Sequence, residues 1–380
     1  MSCDNTGLIL VGIGSGGCRL AAVAHELYGN GMTAIGFDTD EVAINSANGL
    51  HCKLIGATRL NKHGAGGVHS SGRLAAQDDL PEILEPLHDA RIVVVVTCLG
   101  GGTGGGATPV ILNALHAEGK VTLCFATLPF AFEGAVRRQT AERDRPFIEK
   151  EADTLVEVPL DDLHAALGHL ALPEATRQAD MVMASALGLL WRLLLTPGYI
   201  QIDPERLRNL LVGAGRARFG HVTVTGETRA EEAATALAQV PLLRHGESLR
   251  SARAVMLGIL AGPDLRLDEI GTLMNKATAI CPKDAHIEMG VALDPRFAGR
   301  IELVALAFEA WIPAEHRANL TGNGGQHPAD LLDVNKPQRE KKLETRPGKF
   351  SGAGRTIYKG EDLDRPTYQR RHIRLSVMSR

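Results

Sequence analysis

No two of the six cysteines, Cys3, Cys18, Cys52, Cys98, Cys124 and Cys281, stand at CxxC spacing. That scatter argues against a zinc site or a disulfide framework and fits thiols kept reduced. Charge of either sign is not in excess: the net value is −3, so no general pull toward nucleic acid is expected. Long hydrophobic runs are also missing. The longest candidate, Met181 to Leu195, is too short for a bilayer and is interrupted by Arg192. The N-terminus has no basic segment followed by an apolar core, so no secretory signal is expected. Together these absences point to a cytoplasmic protein, and 380 residues suffice for two domains with real cores.

What is present is glycine in clusters. Gly100-Gly101-Gly102-Thr103-Gly104-Gly105-Gly106 directly follows the apolar run Ile92 to Leu99. The β-branched run reads as a buried parallel strand, and Ala107 to Ala117 as a helix. Glycines between them let backbone N–H groups approach a ligand closely, at a helix N-terminus suited to phosphate. The run lacks the lysine of Gly-x4-Gly-Lys-Ser/Thr, which disfavours that nucleotide-binding class. A second cluster, Gly12-Ile13-Gly14-Ser15-Gly16-Gly17, fits GxGxxG, with Asp38 and Asp40 near the spacing of a ribose-binding acid. Taken alone it suggests a nicotinamide-dependent oxidoreductase, which leaves the run at 100–106 unexplained. A third cluster, Gly64-Ala65-Gly66-Gly67, lies between them. Three such loops imply a nucleotide held from several sides.

The rhythm of the chain is α/β. Strands are expected at Leu8–Val11, Thr33–Phe37, Ile92–Val96, Val121–Ala126 and Thr154–Val158, in βαβ units with a parallel sheet. A long buried helix is expected from Glu174 to Leu195, ended by Pro197-Gly198. A second α/β region should carry a helix at Ala230–Ala238 and strands at Ala254–Ile259, His286–Val291 and Ile301–Ala307. From Glu315 to about Tyr358 apolar periodicity disappears, which reads as a disordered linker. A short motif with apolar anchors then closes the chain, the pattern of a docking peptide.

These motifs resemble the tubulin/FtsZ superfamily, and within it bacterial FtsZ. Gly-Gly-Gly-Thr-Gly at 100–104 resembles the family signature, and Gly64-Ala65-Gly66 its phosphate loop. Pro129-Phe130-Ala131-Phe132-Glu133-Gly134, with Arg137, resembles a further family motif. So do Ala230–Ala234, Ala261–Glu269 and the tail Glu361-Asp362-Leu363-Asp364-x-Pro366-Thr367. The resemblance implies a parallel-sheet GTPase domain joined by a long central helix to a smaller α/β domain, then a disordered tail. The boundaries become 1–172 for the GTP-binding domain, 173–203 for the helix and its following loop, and 204–314 for the C-terminal domain. A linker at 315–358 and a docking peptide with a basic end at 359–380 follow.

The resemblance also implies GTP or GDP as ligand, with Mg²⁺ reached through the phosphates and no protein metal cage. Gly14, Ser15, Gly16, Gly17 and Cys18 would form the first phosphate loop, with Ala65 and Gly66 in the next. Gly101, Gly102, Thr103 and Gly104 would cradle the distal phosphates. Glu133 would accept from the ribose, Arg137 would lie near the phosphates or ribose, and Asp180 would accept from guanine N1 and N2. Subunits would stack head to tail, the loop after the central helix completing the neighbour's site with Gln201, Asp203, Glu205 and Arg206. Asp362, Leu363, Pro366 and Tyr368 would dock a membrane-tethering division protein, placing the chain at the inner face of the membrane or the division site.

Departures from the pattern shape the expected function. Arg206 stands at the second acid's position, and Gln201 replaces an Asn. Losing one water-orienting group costs on the order of 10²-fold in rate, so hydrolysis should be slow. Arg19 replaces an Asn beside the first loop, where it would pair with phosphate or block the pocket. Gly105 replaces a Thr, and Thr176 falls where relatives carry an aromatic that stacks on the base. The expected function is a GTP-binding, self-assembling cytoskeletal protein for cell division or membrane remodelling. The alternative is a non-polymerising GTP-binding adaptor that modulates a principal FtsZ.

Overall fold

Valines 93 to 96 point alternately to two cores, which is why Ile92–Cys98 is a strand without a polar face. Ile92, Val94 and Val96 join one cluster, and Val93 and Val95 the other. The computed structural model describes residues 7–29, 31–195, 200–313, 357–358 and 361–362. Its first half runs β1 (Leu8–Ile13), α1 (Gly14–Tyr28), β2 (Ala34–Asp38), α2 (Glu41–Ser46), β3 (His51–Leu54) and α3 (Ala57–Leu60). Next come α4 (His69–Asp78), α5 (Leu80–Leu84), β4 (Ile92–Cys98), α6 (Gly102–Ala117), β5 (Val121–Leu128), α7 (Ala135–Glu151) and β6 (Thr154–Pro159). The second half runs α8 (His164–Leu167), α9 (Leu172–Leu195), α10 (Pro204–Leu211), β7 (Gly215–Thr225), α11 (Arg229–Leu237) and α12 (Glu247–Arg250). It ends with β8 (Ala254–Ala261), α13 (Leu267–Ile280), β9 (His286–Leu293) and β10 (Arg300–Phe308).

These ten strands form one sheet, in the order β3-β2-β1-β4-β5-β6-β7-β10-β8-β9. The pairs from β3 to β7 are parallel, as βαβ units require. β10 is antiparallel to both β7 and β8, and β9 is parallel to β8. The two α/β regions expected from sequence therefore share a sheet, stitched where Thr154, Leu155 and Val156 pair with Gly215, Arg216 and Ala217. The central helix α9 buries Ala179, Met183, Leu187, Leu190 and Trp191 in the first core. It begins at Leu172 rather than Glu174, because Pro173 in a first turn needs no N–H partner.

The signature run is less of a loop than its composition suggests. Helix α6 begins at Gly102, five residues before the expected Ala107, and residues 102–108 are all buried. Glycine in a helix costs up to about 1 kcal/mol relative to alanine. Close approach of neighbouring elements favours it here, and Gly105 shows how: an added Cβ would lie 2.0 Å from Asp144 Oδ2 of α7. Further on, Ile357–Tyr358 pairs antiparallel with Glu361–Asp362. The expectations for Pro197-Gly198, for the linker at 315–356 and for Leu363, Pro366 and Tyr368 lie outside the described residues.

Candidate functional site

Helix α1 starts directly at the C-terminal end of β1, and α6 starts after three further residues, Leu99 to Gly101, beyond that of β4, the adjacent parallel strand. Neither has a side-chain cap or an acidic residue in its first turn, since Ile13 and Gly101 occupy the cap positions. Their first N–H groups are thus left for a ligand, with the helix dipoles favouring an anion. The two starts are packed together. Gly14 has φ +74°, and a Cβ there would sit 3.1 Å from Gly104 N. A side chain would both strain that backbone and separate the two helix ends.

Both ends open into a cavity of about 660 Å³. It gathers most of the residues singled out from sequence: Gly14, Ser15 and Gly16, then Ala65 and Gly66, then Gly101 to Gly104, and finally Glu133 and Arg137. Thr103 Oγ1 already shares a 2.7 Å hydrogen bond with Thr39 Oγ1, tying the signature helix to the end of β2. Glu133 accepts from Phe130 N at 2.9 Å and from Arg137 Nη1 at 2.8 Å. That bridge fixes the turn after β5.

Three expected nucleotide contacts are not on the cavity wall. Gly17 and Cys18 are buried behind the first loop. The Cys18 thiol instead shares its one S–H between Gly12 O and Phe37 O, both within hydrogen-bond reach. Asp180 on α9 lies behind Arg19, which takes its carboxylate in a two-point pair: Nε to Oδ2 at 2.8 Å and Nη2 to Oδ1 at 3.2 Å. Arg19 neither reaches for a phosphate loop nor closes the cavity; it lines the wall and holds Asp180.

Other residues also line the wall, among them Phe130, Phe132 and Asp38, which sequence motifs already mark, and Leu160 and Leu172, which they do not. Phe130 and Phe132 stack with ring centroids 4.9 Å apart, and Phe132 is 61% exposed at the cavity. Leu160 and Leu172 add apolar surface beside them. Asp38, at the end of β2, is buried, and burial raises its pKa, while hydrogen bonds from Ser15 and the Thr39 N–H act the other way. The two phenylalanines carried a signal in the Pro-Phe-x-Phe-Glu-Gly motif. Asp144 stands off this wall: with Ala141 and Ile148 it shares the buried stripe of α7, an acid on a core face.

Gln201, Asp203, Glu205 and Arg206 do not line the cavity. Ile200 bridges to Val291 of β9, which fixes the start of this segment. Asp203 caps α10, its Oδ1 accepting from Glu205 N at 2.7 Å. Arg206 is 70% exposed and lies 3.7 Å from Glu288 of β9. Among the described residues, no group of three or more His, Cys, Asp or Glu is placed to hold a metal ion. No described helix is long and apolar enough to cross a membrane.

Comparison with known proteins agrees with this geometry. The family model "Tubulin/FtsZ family, GTPase domain" matches residues 7–168, and "FtsZ family, C-terminal domain" matches residues 215–309. Cell division protein FtsZ 2 of Rhizobium meliloti is 31% identical over 83% of this chain and 92% of its own length. Cell division protein FtsZ of Magnetospirillum gryphiswaldense is 30% identical over 90% of this chain, which spans 60% of that longer relative. An empty FtsZ dimer from M. jannaschii superposes with a TM-score of 0.75 at 26% identity, over 79% of this chain and 87% of its own. A cavity built on two uncapped helix starts, within a sheet that two successive family domains share, is thus accounted for: the chain belongs to the tubulin/FtsZ family.

Proposed function

We propose that this chain binds GTP and assembles head to tail into protofilaments, as a cytoskeletal protein of cell division with slowed hydrolysis. The observation that carries GTP binding is the pair of uncapped helix starts facing one cavity. Their N–H groups suit a polyphosphate. Glu133 and Arg137 flank the ribose side, and Phe130 and Phe132 offer an aromatic face to the base. Mg²⁺ bound through the phosphates would supply charge neutralisation there.

Assembly is supported by the position of Gln201, Asp203, Glu205 and Arg206 away from this chain's own cavity. A heterologous contact that does not close on itself propagates into a filament. In the neighbour's site Asp203 is preset: Oδ1 is spent on the α10 cap, which leaves Oδ2 to accept from water. Arg206 brings positive charge where the family uses an acid to orient that water, so turnover falls by on the order of 10²-fold. The tail residues Asp362, Leu363, Pro366 and Tyr368 dock a membrane-tethering partner at the cytoplasmic face of the division site.

The test is phosphate release from GTP across protein concentration, with light scattering in the same samples, beside Arg206→Asp. Wild type should scatter with GTP while releasing little phosphate, and the variant should gain cooperative turnover. Cooperative turnover by wild type at the variant's rate refutes the brake. GTP binding without scattering at any concentration favours a non-polymerising adaptor instead.

A further inference from the structure

Arg19 and Asp180 form the one described cation–carboxylate pair that joins α1 to α9 beside the cavity, and only its cationic half reaches the wall. The Arg19 side chain is 53% exposed and that of Asp180 11%. A base entering the cavity therefore meets a guanidinium before it meets a carboxylate. The cavity is lined both by the glycine ends of α1 and α6, suited to phosphates, and by the apolar side chains of Phe130, Phe132, Leu160 and Leu172, suited to a base. Arg19 sits one turn into α1 from Ser15, and Thr176, one turn before Asp180 on α9, also lines the cavity. Arg19 is thus set on the cavity wall between the phosphate end and the α9 side.

Resting on the GTP-binding reading, we propose that the Arg19–Asp180 pair is the base-selecting element, with Arg19 donating to N7 and O6 of guanine. A guanidinium has five N–H donors in a planar fork. Asp180 takes Nε–H and one Nη2–H. The remaining Nη2–H and the Nη1 donors form the end of the fork. That edge matches guanine, which presents two acceptors at N7 and O6. Adenine presents an acceptor at N7 but a donor at N6, so one arginine donor would face another donor. Asp180 acts here as a positioning residue: it fixes the plane of the guanidinium and offsets its charge. Direct acceptance by Asp180 from guanine N1 and N2 is replaced.

The two modes predict opposite analogue patterns. Inosine triphosphate keeps N7 and O6 and lacks the N2 amine, while 7-deaza-GTP lacks only the N7 acceptor. Calorimetric titration of the full chain begins with GTP, and absence of GTP binding would remove both this assignment and the reading it rests on. With GTP bound, inosine triphosphate should bind within about threefold of GTP, and 7-deaza-GTP roughly tenfold more weakly. A tenfold loss with inosine triphosphate, or no loss with 7-deaza-GTP, overturns the assignment while leaving GTP binding intact. Arg19→Asn supplies the converse arm. It frees the Asp180 carboxylate for N1 and N2, so the penalty should pass from 7-deaza-GTP to inosine triphosphate; an unchanged pattern in a folded variant counts against Arg19.

Discussion

Replacing Gly105 by alanine tests whether the signature helix and α7 are fitted to one another. At an open helical glycine, alanine stabilises by up to about 1 kcal/mol. Here the new Cβ would meet Asp144 Oδ2 at 2.0 Å, Cγ at 2.8 Å and Cβ at 3.1 Å. Asp144 has no exposed surface and a short side chain, and it is held by Arg143 Nε at 2.9 Å with His69 Nδ1 at 3.0 Å. It cannot rotate away without losing those partners, so α6 and α7 must separate. Overpacking of this kind costs about 1–3 kcal/mol, enough to reverse the propensity gain. Gly105→Ala should therefore destabilise the protein. Asp144→Gly should also destabilise it alone, through the lost pair with Arg143 and a helical glycine. In the double variant the clash disappears, so its stability should exceed the sum of the single effects by about 1–3 kcal/mol. Urea unfolding of the four proteins measures this coupling. A stabilising Gly105→Ala, or additive single effects, would refute the fit.

Three other outcomes are expected. Phe132→Ala should weaken GTP binding by about 1–3 kcal/mol, the scale of base–aromatic stacking, with unfolding unchanged because the ring is 61% exposed; equal affinity in a titration would remove the ring from the base site. Asp294 is held at a pKa of about 2, first by Arg296 and further by Arg192, against an ordinary 3.8. A depressed carboxylate contributes stability above its unfolded pKa and loses it as pH falls through the folded one. Asp294→Asn should thus cost about 2 kcal/mol at neutral pH, with the difference from wild type shrinking between pH 4 and pH 2; a pH-independent difference would contradict the ion pairing. Arg206→Asp should raise GTP turnover by on the order of 10²-fold, read as phosphate release.

Much of the architecture was legible in local pattern. Strands β1, β2, β4, β5, β6, β8, β9 and β10 lie within a few residues of their expected places because apolar β-branched runs leave little choice. Strand β7 was not expected, and the reason is physical. Its buried Arg218 pairs with Glu157 at 3.4 Å, and His221 faces Glu302 at 3.7 Å, so its polar residues make sense only beside β6 and β10. Helix α13 was missed as well, although Leu273 and Ala277 of its inward face are buried.

The sequence by itself determined that this is an α/β chain of glycine loops on parallel strands, and with it the composition of the candidate phosphate site. Glycine supplies closeness of backbone wherever it occurs, so that role can be read one residue at a time. Only the tertiary structure decided that Arg19 holds Asp180, that Asp144 fills the space above Gly105, and that one sheet joins both halves. Those pairings span up to 161 residues of separation. Charge pairing and steric fit depend on distances of a few ångströms, which the packing of helices on a shared sheet sets and the order of residues along the chain does not.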